Sequence, residues 1–269
     1  MAQDQQLSQL HAAFGSTAAG SARLLLVQGE PGLGKSWLVG RFRQELDSFA
    51  PLVGNPPFLA SLLRSAHPIL HQDHDPELLA AVARLRPGEP WRQRPLPPAS
   101  GQSDLPAALP VADALGRAAH RQGRLALVLE DLHTWGAQDR QELLTFWLRL
   151  LATRAPVMLL LTTRHVDLEE WNRLRHDTLA FGGAVPEILS REPLAVTGQI
   201  ELSSAFLQHL GYPRELDEWL AERAQGHPLH QLELLRFLLQ GGSLLRSTGT
   251  WLFKAPGDNL LPASLAQLL

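Results

Sequence analysis

The feature that most constrains the fold is the octapeptide Gly29–Ser36, which reads G-x-x-x-x-G-K-S. A short apolar segment, residues 23–28, precedes it and predicts a strand, whereas residues 37–46 follow with the apolar spacing of a helix. Strand, glycine-rich turn and helix are the context in which this motif binds phosphate. The alternative is a glycine-rich turn that holds a lysine by chance, and the flanking strand and helix argue against it. We therefore predict a P-loop.

Each residue type in the motif has a physical reason. The glycines let the backbone curl so that successive N–H groups face a phosphate chain, and the helix N-terminus adds partial positive charge. We expect Lys35 to reach the β- and γ-phosphates and the Ser36 hydroxyl to ligate Mg²⁺. The predicted ligand is ATP or ADP with Mg²⁺. The residues of this segment expected to contact it are Gly29, Pro31, Gly32, Gly34, Lys35, Ser36 and Trp37.

A second element is the apolar segment 125–129, which ends in the acidic pair Glu130 and Asp131. It predicts a buried strand that delivers two carboxylates at its carboxyl end, and ligands of parallel α/β sheets bind at that end of the strands. One carboxylate can hold the Mg²⁺ shell while the other orients or deprotonates the attacking water. We assign the metal to Glu130 and the water to Asp131, although the reverse order fits the pattern as well.

A third strand is predicted at residues 156–163, and it ends in Arg164. A cation at that strand end would lie where a γ-phosphate is sensed, so we count Arg164 with the catalytic residues. The alternative is a surface arginine that caps the strand. Lys35 also belongs to the catalytic set, because it is placed to neutralise the charge on the β- and γ-phosphates.

The amino-acid composition limits the classes of protein to which this chain can belong. A chain of 269 residues with 45% hydrophobic and 19% charged residues can hold a large α/β domain and a small helical one. There is no cysteine, which excludes disulfides, thiolate metal sites and cysteine nucleophiles. Neither a signal peptide nor a membrane-spanning apolar run is visible, so we expect a cytoplasmic protein without a membrane partner. A net charge of −3 gives no indication of direct nucleic-acid binding.

The remaining segments predict helices, short strands and one irregular excursion. A proline-rich stretch at about 86–110 contains Trp91 and is interpreted as a surface excursion, with a ligand for a partner domain as the alternative. His67, His71 and His74 resemble a metal cluster, but no second cluster completes it, so we predict a solvated loop. Helices are predicted at 3–14, 58–66, 76–85, 111–121, 138–152, 199–210, 214–224, 228–239 and 260–269, short strands at 50–54 and 186–189, and a hairpin at 241–254.

Taken together, these segments resemble the STAND class of signal-transducing ATPases, which are AAA-like. Within that class they are similar to the ATPase modules of LuxR-type transcriptional activators and of cyclase- or kinase-linked bacterial regulators. The matching stretches are Gly29–Ser36, the run L-V-L-E-D-L-H at 127–133 with Trp135, L-L-L-T-T-R at 159–164, and G-H-P-L at 226–229. Three positions depart from the family pattern. The opening reads A-Q-D-Q at 2–5, an aspartate is missing after H-T-W-G-A at 133–137, and His227 replaces the usual asparagine.

The resemblance implies an α/β fold of the P-loop type, with a parallel sheet flanked by helices. It implies that the strand ending at Arg164 lies between the P-loop strand and the strand ending at Glu130. It also implies an ATPase core over 1–195 and, over 196–269, a helical lid that passes into the start of a winged-helix-like segment. Pro228 of the lid would pack near the adenine. Because relatives continue further, we expect either a piece of a longer protein or a short stand-alone member.

Functionally, the resemblance implies a slow, regulatory, Mg²⁺-dependent ATPase that works as a signal-transduction switch, with protein partners or self-association. The alternative is a scaffold that binds nucleotide without hydrolysing it, which the three departures favour and the intact Lys35, Ser36 and acidic pair oppose. A DNA-handling AAA-type motor is disfavoured by the acidic charge balance. No further motif names a phosphoryl acceptor, as a small-molecule kinase would require.

Overall fold

The computed structural model describes residues 2–17, 22–46, 52–54, 62, 108–208, 211–247 and 249–257. Within them the elements follow in the order α1 (Ala2–Thr17), β1 (Arg23–Gln28), α2 (Lys35–Glu45), β2 (Leu52–Gly54), α3 (Ala108–Gln122), β3 (Leu125–Leu129), a 3₁₀ turn (Leu132–Thr134), α4 (Ala137–Ala152), β4 (Val157–Thr163), α5 (Leu168–Ala180), β5 (Glu187–Ser190), α6 (Val196–Leu207), α7 (Arg214–Ala224), α8 (Pro228–Gln240), β6 (Leu244–Ser247) and β7 (Thr250–Phe253).

Five of the strands form one parallel sheet in the order β2-β3-β4-β1-β5. Leu161 of β4 lies opposite Leu26 of β1 on one side and Leu129 of β3 on the other. The parallel sheet flanked by helices is therefore confirmed. So is the predicted position of the strand that ends before Arg164, between the P-loop strand and the strand that carries the acidic pair.

The central strands are buried on both faces, which explains their unbroken apolar sequence. Leu159 and Leu161 of β4 pack with Leu24 and Leu26 in a core that also contains residues of α3, α4 and α5. The alternate residues of β4 and β1 face a second core, which contains residues of α1 and α2. The largest fully buried side chain is Trp147 of α4, whose indole N–H donates to Thr178 Oγ1 of α5 at 3.0 Å. Both faces of the sheet are thus covered.

The chain divides into two compact units. One contains residues 2–28 and 36–190, and the other contains the loop Gly29–Lys35 together with residues from Arg191 onward. The second unit has its own apolar core, formed by α6, α7, α8 and the antiparallel β6–β7 hairpin. Leu216, Leu234, Leu235 and Leu238 are fully buried in it. Seven of the eight P-loop residues, Gly29–Lys35, therefore belong to the same compact unit as α6, α7 and α8, whereas Ser36 belongs to the other.

Several element predictions are refined, and some lie outside the described residues. The helix α5 is a new element, whereas β2, β5, α7, α8 and the hairpin lie close to their predicted positions. Pro110 belongs to the first turns of α3, where the proline ring is tolerated. The proline-rich stretch before Ala108, the predicted helices at 58–66, 76–85 and 260–269, and the three histidines all lie outside the described residues. The predicted domain boundary near residue 195 stays a prediction. None of the described helices is both long and apolar enough to cross a membrane.

Candidate nucleotide-binding site

The P-loop has the curled backbone that its glycines predict. Gly32 and Gly34 adopt φ angles of 84° and 82°, in the left-handed region that glycine enters without steric cost. At Gly32 a Cβ would also lie 3.0 Å from Cβ of Leu229. At Gly29 a Cβ would lie 2.8 Å from Cβ of Arg191. Glycine is therefore required at these positions for conformation, for close packing, or for both.

Lys35 lies inside the curl of the loop. Its side chain is 8% exposed, and Nζ donates to the carbonyl oxygens of Gly29 at 2.7 Å and Glu30 at 3.0 Å. These bonds hold the ammonium group at the start of the loop and compensate the cost of burying its charge. Helix α2 begins at Lys35, and Ser36 and Trp37 are exposed in its first turn. A lysine and a hydroxyl at a helix N-terminus suit a phosphate chain with a bound cation.

The C-terminal helix α8 touches the P-loop directly. Its second residue, Leu229, donates its main-chain N–H to the carbonyl oxygen of Gly32 at 3.3 Å. Helix α8 begins at Pro228, a favoured first helical residue because it has no N–H to leave unsatisfied. The predicted adenine-side residue Pro228 is therefore the chain neighbour of a residue that contacts the loop. Its contact with adenine stays a prediction.

Gly226 lies two residues before the start of α8 and packs closely against Leu194. Its φ angle is 80°, its carbonyl oxygen accepts from the N–H of Leu194 at 2.7 Å, and a Cβ would lie 2.6 Å from the carbonyl oxygen of Leu194. Only glycine meets both the backbone angle and the close approach. The G-x-P motif thus has a local structural reason that the sequence alone did not reveal.

Arg191 is a residue of the loop's surroundings that the sequence reasoning missed. It directly follows β5, is 7% exposed, and its Nε donates to the carbonyl oxygen of Leu33 at 3.1 Å. Burial lowers the pKa of its guanidinium group from the ordinary value. The only sequence signal was a basic residue at the end of a predicted strand, the same signal that led to Arg164.

The acidic pair follows β3, and its second residue, Asp131, has a left-handed backbone conformation. Asp131 adopts φ 55° and ψ 45°, a left-handed conformation that aspartate tolerates better than most residues. Its N–H donates to Thr162 Oγ1 of β4 at 2.9 Å, and its carboxylate is 58% exposed. The carbonyl oxygen of Glu130 accepts the indole N–H of the buried Trp135 at 3.1 Å. Both backbone positions are fixed, and the largely exposed Asp131 side chain has Oδ1 at 4.0 Å from Nδ1 of His133.

Arg164 directly follows β4, and its side chain is exposed. Because β3 and β4 are parallel neighbours with Leu129 opposite Leu161, Arg164 and the acidic pair lie at the same edge of the sheet. The strand β1 ends at this edge too, since Gln28 lies opposite Thr163. This edge is the one at which parallel α/β sheets bind ligands. The roles of sensing γ-phosphate, holding metal and positioning water stay predictions.

The donor set fits a magnesium nucleotide. In the described parts of the chain, no group of three or more His, Asp and Glu side chains is arranged to hold a metal ion by itself. Mg²⁺ in phosphate-transfer proteins needs no such group, since it is held by one or two protein oxygens and by the phosphates themselves. Ser36 and Glu130 are the residues that would supply those oxygens. The curled loop and Lys35 would hold the phosphates.

Known proteins resemble this chain at the level of family and of fold. The family described as AAA ATPase domain matches residues 2–160, which is more than half of the chain. No curated protein sequence matches significantly. Two similar solved structures are the Walker-type ATPase PABY2304 of Pyrococcus abyssi, with a TM-score of 0.56, and Cdc6p from Pyrobaculum aerophilum, with 0.55. Each is 15% identical over 89% of this chain, which shows likeness of fold alone. The chain spans 68% of the first protein and 62% of the second.

Proposed function

The chain belongs to the AAA ATPase domain family, and we propose that it is an ATP/ADP-governed switch. In this proposal it binds ATP or ADP with Mg²⁺, hydrolyses ATP slowly, and signals the bound nucleotide through its C-terminal helices. The observation that carries the proposal is the hydrogen bond from the N–H of Leu229 to the carbonyl oxygen of Gly32. A change in the P-loop is transmitted through this contact to the first turn of α8.

The roles follow from position and chemistry. The amides of residues 32–36 hold the phosphates, and Lys35 neutralises the charge on the β- and γ-phosphates. Bound Mg²⁺ would lower the charge of the phosphate oxygens, with Ser36 and Glu130 as its protein ligands. Asp131 orients the attacking water, and Arg164 contacts the γ-phosphate. A γ-phosphate contact made only in the ATP state supplies the differential affinity that a switch requires.

The wider role that we propose is the regulatory ATPase part of a bacterial transcriptional regulator or signalling protein. Its support is the pattern of motifs at 127–135, 159–164 and 226–229, together with the contact between the P-loop and α8. A signal module of this kind needs protein partners or self-association to pass on its state. We propose the cytoplasm as its location.

The first test is to denature the purified protein, identify any released nucleotide, and then follow phosphate release with added Mg-ATP. Bound ADP with slow turnover would support the switch. Nucleotide that is tightly held but not turned over, with Asp131→Asn indistinguishable from wild type, would favour the non-hydrolysing scaffold. A protein that neither binds nor hydrolyses nucleotide would contradict both.

The second test asks whether α8 responds to the nucleotide. Amide hydrogen exchange of residues 228–240 is measured with ADP and with a non-hydrolysable ATP analogue, both at saturation. The switch predicts different protection in the two states at the first turn of α8. The matched reference is α3, which packs on α4 in the core of the other compact unit. Equal protection of α8 in both states would contradict the switch while leaving nucleotide binding intact.

A further inference from the structure

A buried arginine next to the P-loop has no role in the function proposed so far. Arg191 is 7% exposed, although arginine is rarely buried unless it is paired or hydrogen-bonded. Its Nε donates to the carbonyl oxygen of Leu33, which is itself 3% exposed. Desolvation of a guanidinium group is costly, so a buried arginine at this position calls for a reason beyond packing.

The reason lies in the geometry of one peptide bond. The bond between Leu33 and Gly34 is planar, and in a trans peptide the C=O and the N–H point in opposite directions. Since the Leu33 carbonyl is directed at Arg191, the Gly34 N–H is directed away from Arg191. The orientation of this amide is therefore fixed by the side chain on the other side of the peptide plane.

Gly34 needs such a restraint. Its φ angle is 82°, and glycine enters positive and negative φ with similar ease, so the adjoining peptide can rotate at small cost. A rotated Leu33–Gly34 peptide would present a carbonyl oxygen, instead of an N–H, to a bound phosphate. Such an arrangement would repel the ligand that the loop is predicted to bind.

Two further contacts hold the loop at other points. Lys35 Nζ binds the carbonyl oxygens of Gly29 and Glu30 at the start of the loop. The backbone of Arg191 lies so close to Gly29 that an added Cβ would be 3.1 Å from the Arg191 carbonyl oxygen. Arg191 is thus packed against the first residue of the loop and hydrogen-bonded to the fifth. Arg191 is therefore well placed to fix the peptide that joins Leu33 to Gly34.

We propose that Arg191 is a positioning residue for phosphate binding: by binding the Leu33 carbonyl, it holds the Gly34 N–H toward the β-phosphate. This inference rests on the proposed nucleotide binding. Arg191 acts through the backbone and has no contact with the nucleotide in this role. Its effect is therefore largest for ligands that carry a β-phosphate.

The experiment compares the affinities of wild type and Arg191→Met for ADP and for AMP, which lacks the β-phosphate. Methionine keeps most of the apolar stem and removes every donor. Removal of a charged hydrogen bond predicts a loss of ADP affinity of about tenfold to a hundredfold. AMP affinity should change much less, so the preference for ADP over AMP should collapse. Arg191→Lys keeps a charged donor and should restore part of the preference.

The control is Arg246→Met, which removes an exposed arginine of β6 in the same compact unit. It should leave both affinities unchanged. Thermal unfolding without nucleotide reports whether each variant is folded. If Arg191→Met shows no cooperative transition, Arg191→Leu replaces it, because a leucine side chain fills part of the same space and has no hydrogen-bond donor for the Leu33 carbonyl.

The outcomes separate this inference from the function on which it rests. Wild type that binds neither nucleotide would overturn the proposed nucleotide binding itself. Wild type that binds ADP, with an unchanged ADP preference in the folded Arg191 variant, would overturn the positioning role alone. An equal loss of ADP and AMP affinity would also overturn it, since that result indicates a general packing defect.

Discussion

The main-chain N–H of Asp131 donates to the hydroxyl oxygen of Thr162 at 2.9 Å, and this bond joins the ends of two neighbouring strands. Thr162 is 1% exposed, so its hydroxyl is a fixed acceptor. Asp131 can therefore hold its left-handed backbone, and its largely exposed side chain lies at the carboxyl ends of the parallel strands. Non-glycine residues held in the left-handed region cluster at functional sites.

Asp131→Asn tests the assignment of this carboxylate to water activation. Asparagine tolerates the left-handed conformation as well as aspartate does, so the backbone and the bond to Thr162 should be preserved. We expect ATP affinity within about threefold of wild type and a fall in turnover of about a hundredfold or more. Both are measured on one preparation, by calorimetry and by phosphate release. A parallel loss of binding would show that Asp131 holds the metal and that Glu130 positions the water.

Lys35→Ala tests the P-loop itself. It removes the ammonium group that Gly29 and Glu30 hold inside the loop, and with it the charge that the phosphates require. The expected loss of ADP affinity is about a hundredfold, the scale of one or two charge-assisted hydrogen bonds. Lys254→Ala is the matched control, because Lys254 is exposed and is the only other lysine in the chain. Unchanged affinity in Lys35→Ala would refute the phosphate-binding role.

The sequence predicted the central strands and the P-loop, because the structure of each follows from a local sequence pattern. The strands β1, β3 and β4 are buried on both faces, so each reads as a nearly unbroken apolar run. The P-loop has fixed spacing because its geometry is local. Both could be placed to within a residue or two without any knowledge of their neighbours.

The parts that sequence reasoning missed depend on weak or distant signals. In α5 the stripe that faces the core is short, since Trp171 and Leu174 are its apolar members. The apolar residues Leu168 and Leu179 are exposed at 71% and 45%, which obscures the helical pattern in the sequence. Its start did carry a signal, since Asp167 accepts hydrogen bonds from the N–H groups of Glu169 and Glu170. Arg191 lies 158 residues from Leu33 along the chain, and no spacing rule relates two such positions.

Gly226→Ala tests the steric role of the G-x-P glycine. A left-handed φ costs an alanine about 1–2 kcal/mol, and the 2.6 Å approach to the Leu194 carbonyl oxygen adds overpacking, for a total of about 2–4 kcal/mol. Gly242→Ala is the control, because Gly242 has a φ of 70° with no atom within 4 Å of an added Cβ. It should cost only about 1 kcal/mol. Urea denaturation measures both, and equal losses would show that the close approach relaxes freely.

The two histidines at the start of α8 predict a pH dependence of stability. The rings of His227 and His230 stack with centroids 4.8 Å apart. Burial, and then the charge of His227, lowers the pKa of His230 below its ordinary value of 6.5. Because the unfolded chain binds this proton more readily, the stabilising contribution is present above about pH 6.5 and is lost as the pH falls further, through the folded pKa. The free energy of unfolding should therefore decrease below about pH 6.5.

His230→Phe keeps a ring to stack on His227 and removes the titrating group, so it should flatten this pH dependence. His176→Phe, which replaces an exposed histidine of α5, should leave it unchanged. Burial raises the pKa of Asp217, which stabilises the folded state as the pH falls through the acidic range where this carboxyl titrates. Wild type and both variants carry Asp217, so its contribution cancels when their free energies of unfolding are compared by urea denaturation between about pH 5.5 and 7.5. An unchanged slope in His230→Phe would assign the pH dependence to another group.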